Sequence, residues 1–507
     1  MQNQHENVSF LADHASQSSK TKGKDGAKAN SVAVIGGGPA GLTASYELQK
    51  LSDDHDIVVL EADNIVGGIS RTESHNGYRF DIGGHRFFTK VKEVESLWRE
   101  VLGNDFIKRP RKSRIFYNGR YYDYPLKIFN ALNNMGPYES ARIGLSYFKW
   151  QVFPSPQEDN FEQWVTNRFG GRLFYHFFKT YTEKVWGIPC KEIRADWAAQ
   201  RIKNLSLTKA VWNAVTGAND TASLIEEFEY PRLGPGMMWE KFRDAIRSNG
   251  GEVRMQSVVN RVFRDGNKIT EIEICDYSDG TENTYRLSAD EFISTMPIKE
   301  LINCMEPAPP QEVLEAAEKL KYRDFLIVTL VLDDPNIFDD NWIYIHSPDV
   351  SVGRIQNFRS WSPEMVPDAT KASIGMEYFC HEGDGLWETS NEDLIELAKK
   401  ELAILGLGKA ELAVDGAVIR QKKAYPVYDG DYSSALETVK NWVIGLENFQ
   451  TVGRNGMHRY NNQDHSMLTA MLAVRNILGE QHDIWNVNVE RSYHEEFTVD
   501  KDKVGAA

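Results

Sequence analysis

A glycine-rich stretch near the start of the chain constrains the fold more than any other feature. Gly36, Gly38 and Gly41 follow the apolar run Ser31–Ile35 and precede a helical pattern over Leu42–Leu51. In a strand–turn–helix unit, one such glycine permits the tight turn, one lets the backbone approach a pyrophosphate, and one lets the helix pack on the strand. Amides at the helix N-terminus then hold the phosphate charge. The stretch predicts a parallel α/β sheet that binds a dinucleotide.

The second strand of this unit ends in an acidic residue. Ile57–Leu60 is typical of a buried parallel strand, and Glu61 follows 20 residues after Gly41. A carboxylate at this spacing accepts hydrogen bonds from an adenosine ribose. We expect Pro39 and Ala40, at the helix start, and Ala62, after Glu61, to share in the binding. The alternative is a glycine-rich turn of an unrelated α/β protein, which the ordered strand, helix and acidic residue disfavour.

Composition excludes several classes of protein. The 507 residues exceed the usual size of one domain, and the net charge of −15 argues against nucleic acid as the main partner. No run approaches 18 apolar residues, so no transmembrane helix is expected. The four cysteines are far apart and form no CxxC pair, which argues against a disulfide framework or a metal site and favours a reducing cytoplasm.

The segment after Glu61 distinguishes between flavin and nicotinamide dinucleotides. Val66-Gly67-Gly68-Ile69-Ser70-Arg71-Thr72 resembles the second flavin motif of the amine-oxidase-like flavoproteins. In that motif the glycines pass close to the cofactor phosphates and ribityl chain, and the arginine lies beside them. The resemblance implies that FAD is the cofactor and that Gly67, Gly68 and Arg71 contact it.

Further motifs resemble those of UDP-galactopyranose mutases, especially the longer, eukaryotic-type members, and they occur in the family's order between residues 32 and 478. They are a Gly-Gly-His loop at Phe80–His85, the segment Tyr181–Gly187, Ala195 to Arg201, Phe228 to Trp239, the set Trp342, Tyr344 and Arg354, Tyr425-Pro426, and Gly453 to His465. The last of these suggests a flavin held by both ends of one chain.

The resemblance implies a set of site residues. The catalytic residues would be His85, Arg201 and Arg354, the two arginines clamping a diphosphate from separate segments. Further flavin contacts would be Gly83, Gly84, Val258, Gly453, Arg454, Asn462, Gln463, Asp464 and Ser466. Substrate contacts would be Tyr124, Lys127, Trp186, Trp197, Trp342, Tyr344, Tyr425 and Tyr460. Lys127 stands where the family has Gln, which leaves the sugar and the base open.

The implied activity is interconversion of the pyranose and furanose forms of a nucleotide-diphosphate sugar similar to UDP-galactose. In such enzymes N5 of reduced FAD attacks the anomeric carbon, and NAD(P)H is the expected reductant. Two alternatives remain. One is a flavin oxidoreductase of the amine oxidase or desaturase kind, acting on another small molecule, a lipid or a lipid-linked sugar. The other is a glycan-assembly partner that binds FAD without turnover.

The expected fold class is α/β: a Rossmann-type FAD-binding domain with an inserted helical substrate domain and an antiparallel β-sheet domain. We expect a disordered leader over 1–30, FAD-binding segments over 31–110, 229–298 and 426–507, a mainly helical substrate domain over 111–228, and an antiparallel sheet over 299–425.

Some local elements are predicted as well. The sequence predicts a helix over Met237–Ser248, a strand over Glu252–Val259 and a final helix that follows Asn461 and covers Met467–Leu478. The aromatic stretch Tyr147–Phe153 is expected to pack against the helical region, with contact to a membrane or a lipid-linked sugar as the alternative.

Overall fold

The computed structural model describes residues 30–124, 126–195, 222–224, 227–488 and 496–498. Its helices are α1 (Pro39–Leu51), α2 (Lys92–Leu102), α3 (Ile128–Met135), α4 (Pro137–Val152), α5 (Phe161–Phe169), α6 (Gly171–Phe174), α7 (Thr180–Trp186), α8 (Gly236–Ser248), α9 (Ile298–Asn303), α10 (Gln311–Glu318), α11 (Phe358–Trp361), α12 (Asn391–Ile404), α13 (Tyr432–Ile444), α14 (Gly453–Gly456) and α15 (Gln463–Ile477). A π-helical turn, Tyr175–Lys179, joins α6 to α7.

The strands fall into a few sheets. They are β1 (Asn30–Ile35), β2 (His55–Leu60), β3 (Thr72–His75), β4 (Tyr78–Asp81), β5 (Phe106–Pro110), β6 (Ser113–Tyr117), β7 (Arg120–Asp123), β8 (Ala222–Leu224), β9 (Glu227–Pro231), β10 (Glu252–Arg254), β11 (Ser257–Asp265), β12 (Lys268–Asp276), β13 (Asn283–Ser288), β14 (Glu291–Ser294), β15 (Met305–Glu306), β16 (Tyr322–Leu332), β17 (Trp342–Ile345), β18 (Arg354–Asn357), β19 (Ala372–Cys380), β20 (Ala413–Pro426), β21 (Phe449–Thr451) and β22 (Glu496–Thr498).

The parallel sheet has the order β10-β2-β1-β14-β21 within the described residues, and every neighbouring pair in it is parallel. Its strands carry continuous apolar runs, such as Val32–Ile35, because helices cover one face of the sheet and strands β11 and β12 cover the other. Helix α1 packs between α15 and α8 on one face. This architecture, with mainly antiparallel sheets beside it, confirms the α/β class predicted from the glycine-rich stretch.

Two further sheets flank the parallel one in the described part of the chain. The small sheet has the order β13-β12-β11-β15, and the large sheet has the order β20-β16-β19-β18-β17-β6-β7. Strand β19 is buried along its whole length because α-helical and loop segments cover both of its faces. Strands β6 and β7 come from the segment that the sequence assigned to a mainly helical domain, and they bring residues 113–123 to the edge of the large sheet beside β17.

The helical region α3–α7 packs around its own apolar core. Phe161, Trp164, Phe174 and Phe177 are buried in it, and Ile115 and Tyr122 from the edge strands join them. Helix α5 starts at a capping box, in which the Asn160 side chain accepts from the Gln163 amide. This core places Tyr124, Tyr344 and Tyr460 against one side of the helices.

One local prediction needs adjustment. The strand predicted over Glu252–Val259 is two strands in two sheets, because Gln256 adopts φ +54° and turns the chain between them. The last helix follows Asn461 as predicted: it runs from Gln463 to Ile477, and the Asn462 side chain caps it. The leader predicted over 1–30 lies outside the described residues except for Asn30, which begins β1.

The expectation that Tyr147–Phe153 packs inward is only partly right. Tyr147 and Trp150 are half-buried and contact Gly170 and Gly171, whereas Phe148 and Phe153 are 68% and 72% exposed. A helix buries one face, and the helical core already occupies that face of α4.

The described residues also bear on the predictions about disulfide bonds, metal sites and transmembrane helices. All four cysteines are free thiols. Among the described residues, no cluster of three or more His, Cys, Asp or Glu side chains could hold a metal ion. None of the helices described is long and apolar enough to cross a bilayer.

Candidate active site

A cavity of about 840 Å³ opens where the carboxyl ends of β1, β2 and β14 meet the N-termini of α1 and α15. Ligands of open parallel sheets bind at this edge. Residues proposed from the sequence that line it are Gly36, Gly38, Pro39, Ala40, Glu61, Ala62, Gly68, His85, Val258, Gly453, Arg454, Gln463 and Ser466. Segments from both ends of the chain therefore build one cavity.

The first glycine motif forms a tight cradle. A Cβ on Gly41 would lie 1.9 Å from the Gly36 carbonyl oxygen, so only glycine lets α1 pack this closely on the turn. Gly36 adopts φ +103°, in the left-handed region. Glu61 locks the turn, since its carboxylate accepts from the Gly37 amide at 2.6 Å and the Asp63 amide at 2.8 Å. Burial raises the pKa of Glu61, and these amides partly offset that shift.

The second glycine motif lies directly across this cradle. The Gly67 amide donates to the Gly37 carbonyl at 2.9 Å, which fixes the two motifs together. Arg71 is buried and donates to the Gly68 carbonyl at 3.1 Å and to Gln421 Oε1 at 2.7 Å, and it pairs with Glu73 at 2.6 Å. In the structure Arg71 thus braces the second motif against β20.

The C-terminal motif closes the other side of the cavity. Arg454 donates to the carbonyls of Asn461 at 2.8 Å and Ala424 at 3.1 Å, which shapes the loop before α15. Asn462 caps α15 in a capping box with His465, and Asp464 is buried in the first turn. Gln463 aims its side chain toward the cavity, and its Oε1 is buried without a hydrogen-bond partner.

His85 lies where two guanidinium groups converge. Burial, with the positive charges of Arg454 and Arg354, lowers the pKa of His85 to about 3, so its imidazole is neutral. Its Nδ1 is buried without a hydrogen-bond partner in the described structure. Gly83 and Gly84 lead into it, Gly83 with φ +86° facing Arg354 and Gly84 facing Trp361 and Gln356. The loop is thus pressed between the cavity and the large sheet.

An aromatic cluster adjoins His85, and we define it by Tyr124, Tyr181, Trp342, Tyr344, Tyr425 and Tyr460. The ring centroids of Tyr124 and Tyr344 are 4.5 Å apart, and those of Tyr181 and Tyr344 are 5.3 Å apart. Tyr425 stacks on Tyr460 at 5.5 Å, with the Arg454 guanidinium 4.7 Å from the Tyr460 ring. The cluster joins residues from five separate stretches of sequence, and five of its six members are among the substrate contacts proposed from the resemblance.

Arg354 lies next to the aromatic cluster and is held in place by a buried carboxylate. Its Nε and Nη2 donate to Oε2 of Glu377 at 2.7 and 2.6 Å, and Gln356 donates to the other carboxylate oxygen at 2.6 Å. Glu377 is fully buried, so this ion pair sits in a low-dielectric environment. Burial is the largest single influence on the pKa of Arg354, and it lowers that pKa. The interaction with Glu377 opposes burial and raises the pKa of Arg354.

Other proposed substrate residues lie in different surroundings. Trp186 is buried and stacks on Tyr428 at 6.3 Å, and Tyr428 Oη in turn accepts from the Tyr460 amide at 2.6 Å. Trp186 is therefore linked to the cluster through Tyr428, which is bonded to Tyr460. Lys127 is 68% exposed, with its Nζ 3.6 Å from Asp123. Trp197 and Arg201 lie outside the described residues.

Sequence reasoning missed several cavity residues. Thr295 follows β14 and packs against Gly36, while Gln421, Lys423 and Asn455 come from late in the chain. Lys423 adopts φ +54° and pairs with Glu300 at 2.6 Å in the cavity wall. Of these positions only Asn455 lies in a recognised motif, the stretch from Gly453 to His465. For the others, the one available signal was that Thr295 ends the apolar strand β14, where sites of parallel sheets occur.

The cavity fits FAD on features of this structure alone. Gly38 and Gly68 lie close together and both line the cavity, so a pyrophosphate there would meet bare backbone from both glycine motifs. Glu61 lies at the adenosine end, where a ribose would reach it. His85 and the unpartnered Gln463 Oε1 lie toward the C-terminal motif, where a flavin ring would find polar partners. We infer that these residues hold the two ends of the cofactor.

The fold and the cavity define a dinucleotide-binding flavoprotein. The sequence model of the flavin-containing amine oxidoreductases matches residues 39–435, more than half of the chain. The chain therefore belongs to the family of flavin-containing amine oxidoreductases, which implies FAD as its cofactor.

Solved structures with the same fold carry different chemistries. A reduced UDP-galactopyranose mutase superposes with a TM-score of 0.78 and 20% identity, covering 92% of this chain and 99% of that one. A putative protoporphyrinogen oxidase from Exiguobacterium sp. 255-15 gives 0.66 and 16%, covering 90% and 100%. Putrescine oxidase bound to putrescine gives 0.57 and 15%, covering 89% and 99%. At sequence identities this low, the similarity shows a shared fold and nothing about a shared reaction.

Curated relatives match over short stretches. Coproporphyrinogen III oxidase of Mycobacterium bovis is 38% identical over 72 residues, which span 14% of this chain and 16% of that protein. An uncharacterized protein in the nifH2 3' region of Methanothermococcus thermolithotrophicus is 46% identical over 54 residues, 11% of this chain and 50% of that protein. The chain thus matches half or less of the length of these relatives.

Glu61→Gln is expected to weaken FAD binding about tenfold or more, because a charge-assisted hydrogen bond contributes about 1.5–3 kcal/mol. Since burial raises the pKa of Glu61, the wild-type affinity should fall as the pH drops through that raised value and the carboxyl takes up a proton. The variant should lose this pH dependence. Fluorescence titration of the apoprotein with FAD across pH measures both effects; an affinity unchanged by the substitution would contradict the ribose contact.

Proposed function

We propose that this flavoprotein is a nucleotide-sugar mutase that interconverts the pyranose and furanose forms of a UDP-galactose-like substrate. The observation that carries the proposal is that two guanidinium groups lie at the border between the FAD cavity and the aromatic cluster. Arg354 Nη2 faces Gly83, two residues before His85, and Arg454 lines the cavity 4.7 Å from the Tyr460 ring. Two guanidinium groups at that point suit a diphosphate, which needs cations with several donors.

In this proposal, different residues have different roles in the reaction. Reduced FAD would supply a nucleophilic ring nitrogen, and NAD(P)H is the proposed reductant. Arg354 and Arg454 would hold the diphosphate as it leaves the anomeric carbon and until it returns, which stabilises the developing negative charge. Tyr425 and Tyr460 would position it with hydroxyl groups that lose little entropy. Arg201 remains a proposed third phosphate ligand.

The state of His85 is compatible with this arrangement. A neutral imidazole adds no charge beside the arginines and can exchange a proton through Nδ1, which makes no hydrogen bond in the described structure. Burial together with Arg454 and Arg354 keeps it neutral across the physiological range. We propose that His85 orients the sugar or the flavin edge rather than binding phosphate.

The second candidate function is FAD-dependent oxidation of another small molecule, one that carries no diphosphate. Buried Glu377 cancels the charge of Arg354, so the net positive charge at the cluster is smaller than the count of arginines suggests. Aromatic walls without excess charge suit an amine, porphyrin or lipid substrate. This observation keeps the oxidoreductase as the alternative.

Anaerobic incubation of the dithionite-reduced protein with nucleotide sugars tests the proposal. UDP-galactose, UDP-galactofuranose and other nucleotide sugars are supplied, and the products are separated by chromatography. A ring-isomerised product formed only by the reduced protein, over many turnovers, is expected. The oxidised protein is the matched control.

The two candidates give opposite stoichiometries. A mutase consumes no acceptor once it is reduced, whereas an oxidase consumes oxygen or another acceptor one-for-one with substrate. Full FAD occupancy without isomerisation of any nucleotide sugar would exclude the mutase and direct attention to the oxidoreductase.

A further inference from the structure

Helix α4 presents an apolar face to solvent. Tyr138, Leu145, Phe148 and Val152 are 75%, 71%, 68% and 50% exposed. Their spacing of three, four and seven residues places them on one side of the helix. Large apolar side chains grouped in this way usually mark a binding surface, whereas scattered ones do not. We call this side of α4 the outward face.

The opposite side of α4 packs against other parts of the protein. Ile143 is buried, and the Arg172 amide donates to Ser146 Oγ at 3.1 Å. Backbone at Gly170 contacts Tyr147, and Gly171 contacts Trp150. The helix therefore cannot rotate to bury the outward face. Further exposed aromatic residues on neighbouring elements are Phe129, Phe153 and Tyr175.

The charges on the outward face have one sign. Arg142 is 45% exposed and Lys149 is exposed, and both lie at helical spacing beside Leu145. Glu139 is the one carboxylate in the sequence of α4; it is bonded to Arg172 and also lies 3.5 Å from Arg142 Nη1, while Arg142 itself stays 45% exposed. In a chain of net charge −15, this combination of apolar residues and cations is complementary to a negatively charged partner with an apolar interior.

A second copy of the chain suits this face poorly. In a two-fold pairing of α4 with itself, the outward faces bring Arg142 and Lys149 of both copies, four cations in all, into one apolar interface. Like charges held opposite each other in an apolar interface oppose association.

We propose that the outward face of α4 docks onto the surface of an anionic lipid bilayer. Leu145, Phe148 and Val152 enter the boundary between headgroups and acyl chains, and Arg142 and Lys149 contact the lipid phosphates. This is the arrangement of an amphipathic helix lying in the plane of the membrane. None of the residues of the outward face lines the FAD cavity, so docking does not depend on which reaction the site catalyses.

Flotation of the FAD-loaded protein with vesicles tests the proposal. Wild-type protein should float with mixed phosphatidylcholine–phosphatidylglycerol vesicles and far less with pure phosphatidylcholine. L145S/F148S and R142E/K149E should each reduce binding about tenfold, the second through lost attraction to anionic lipid. The matched control is I404S/I444S, because Ile404 and Ile444 are 64% and 56% exposed on other helices. That variant should bind like wild type.

Two outcomes would overturn the proposal. One is wild-type protein that binds neither vesicle at low salt. The other is a wild-type oligomer, seen by light scattering without vesicles, that L145S/F148S dissociates, since a second copy would then cover the face. Flavin absorbance and circular dichroism of every variant show that the fold is retained, which separates lost docking from lost structure.

Discussion

Replacing Arg354 with alanine is expected to reduce turnover of the nucleotide sugar at least a hundredfold and to destabilise the protein. The loss of turnover follows from the charge-assisted hydrogen bonds to the diphosphate, at about 1.5–3 kcal/mol each. The loss of stability has a separate cause. Arg354→Ala leaves Glu377 fully buried without its ion-pair partner, which costs about 3–5 kcal/mol. Steady-state kinetics and thermal unfolding measure the two effects.

A double variant separates these two effects. In R354M/E377Q the buried charges are removed together, and Gln356 can still donate to the amide oxygen at position 377. Stability should return close to that of the wild type, because replacing a buried ion pair with neutral groups of similar volume is often neutral. Activity should remain low. A double variant with wild-type turnover would show that Arg354 does not contact the substrate.

Replacing Gly41 with alanine is expected to abolish FAD binding by damaging the fold itself. The added methyl would lie 1.9 Å from the Gly36 carbonyl oxygen, and backbone cannot yield as a flexible side chain can. Helix α1 must then move away from β1, at a cost of about 3 kcal/mol, near the upper end of the usual range for overpacking. Thermal unfolding and the ratio of flavin to protein absorbance report the result.

Two other glycines give matched controls for this prediction. Gly38→Ala should fold normally, because its methyl meets nothing closer than 3.8 Å, yet bind FAD weakly, because the methyl enters the cavity. Gly144→Ala lies in α4 with no atom within 4 Å and should be as stable as the wild type or slightly more so. If Gly41→Ala retained full flavin content and stability, the close packing of α1 on the turn would be refuted.

Features that depend on neighbouring residues were predictable from the sequence. Gly36, Gly38, Gly41 and Glu61 act within one βαβ unit, so their spacing alone indicated the dinucleotide fold. Helix α8 over Gly236–Ser248 was found to within one residue of its predicted start, because its apolar positions repeat every three or four residues.

Features that depend on distant parts of the chain were not predictable. The partner of Arg71 is Gln421, 350 residues later, and no local pattern indicates this pair. The ion pair between Arg354 and Glu377 was not predicted for the same reason. Glu377 lies in an apolar run that indicates only a buried strand. The outward face of α4 was misjudged because aromatic residues there look the same whether they face a core or solvent.

The order of strands in the parallel sheet has a consequence for how the protein is made. Strands β1 and β2 are synthesised first, but β21 and α15, which complete the sheet and the cavity, follow about 400 residues later. A chain emerging from the ribosome can form its first βαβ unit early, whereas the far wall of the cavity is still missing. We therefore expect the chain to capture its cofactor only after β21 and α15 have been synthesised.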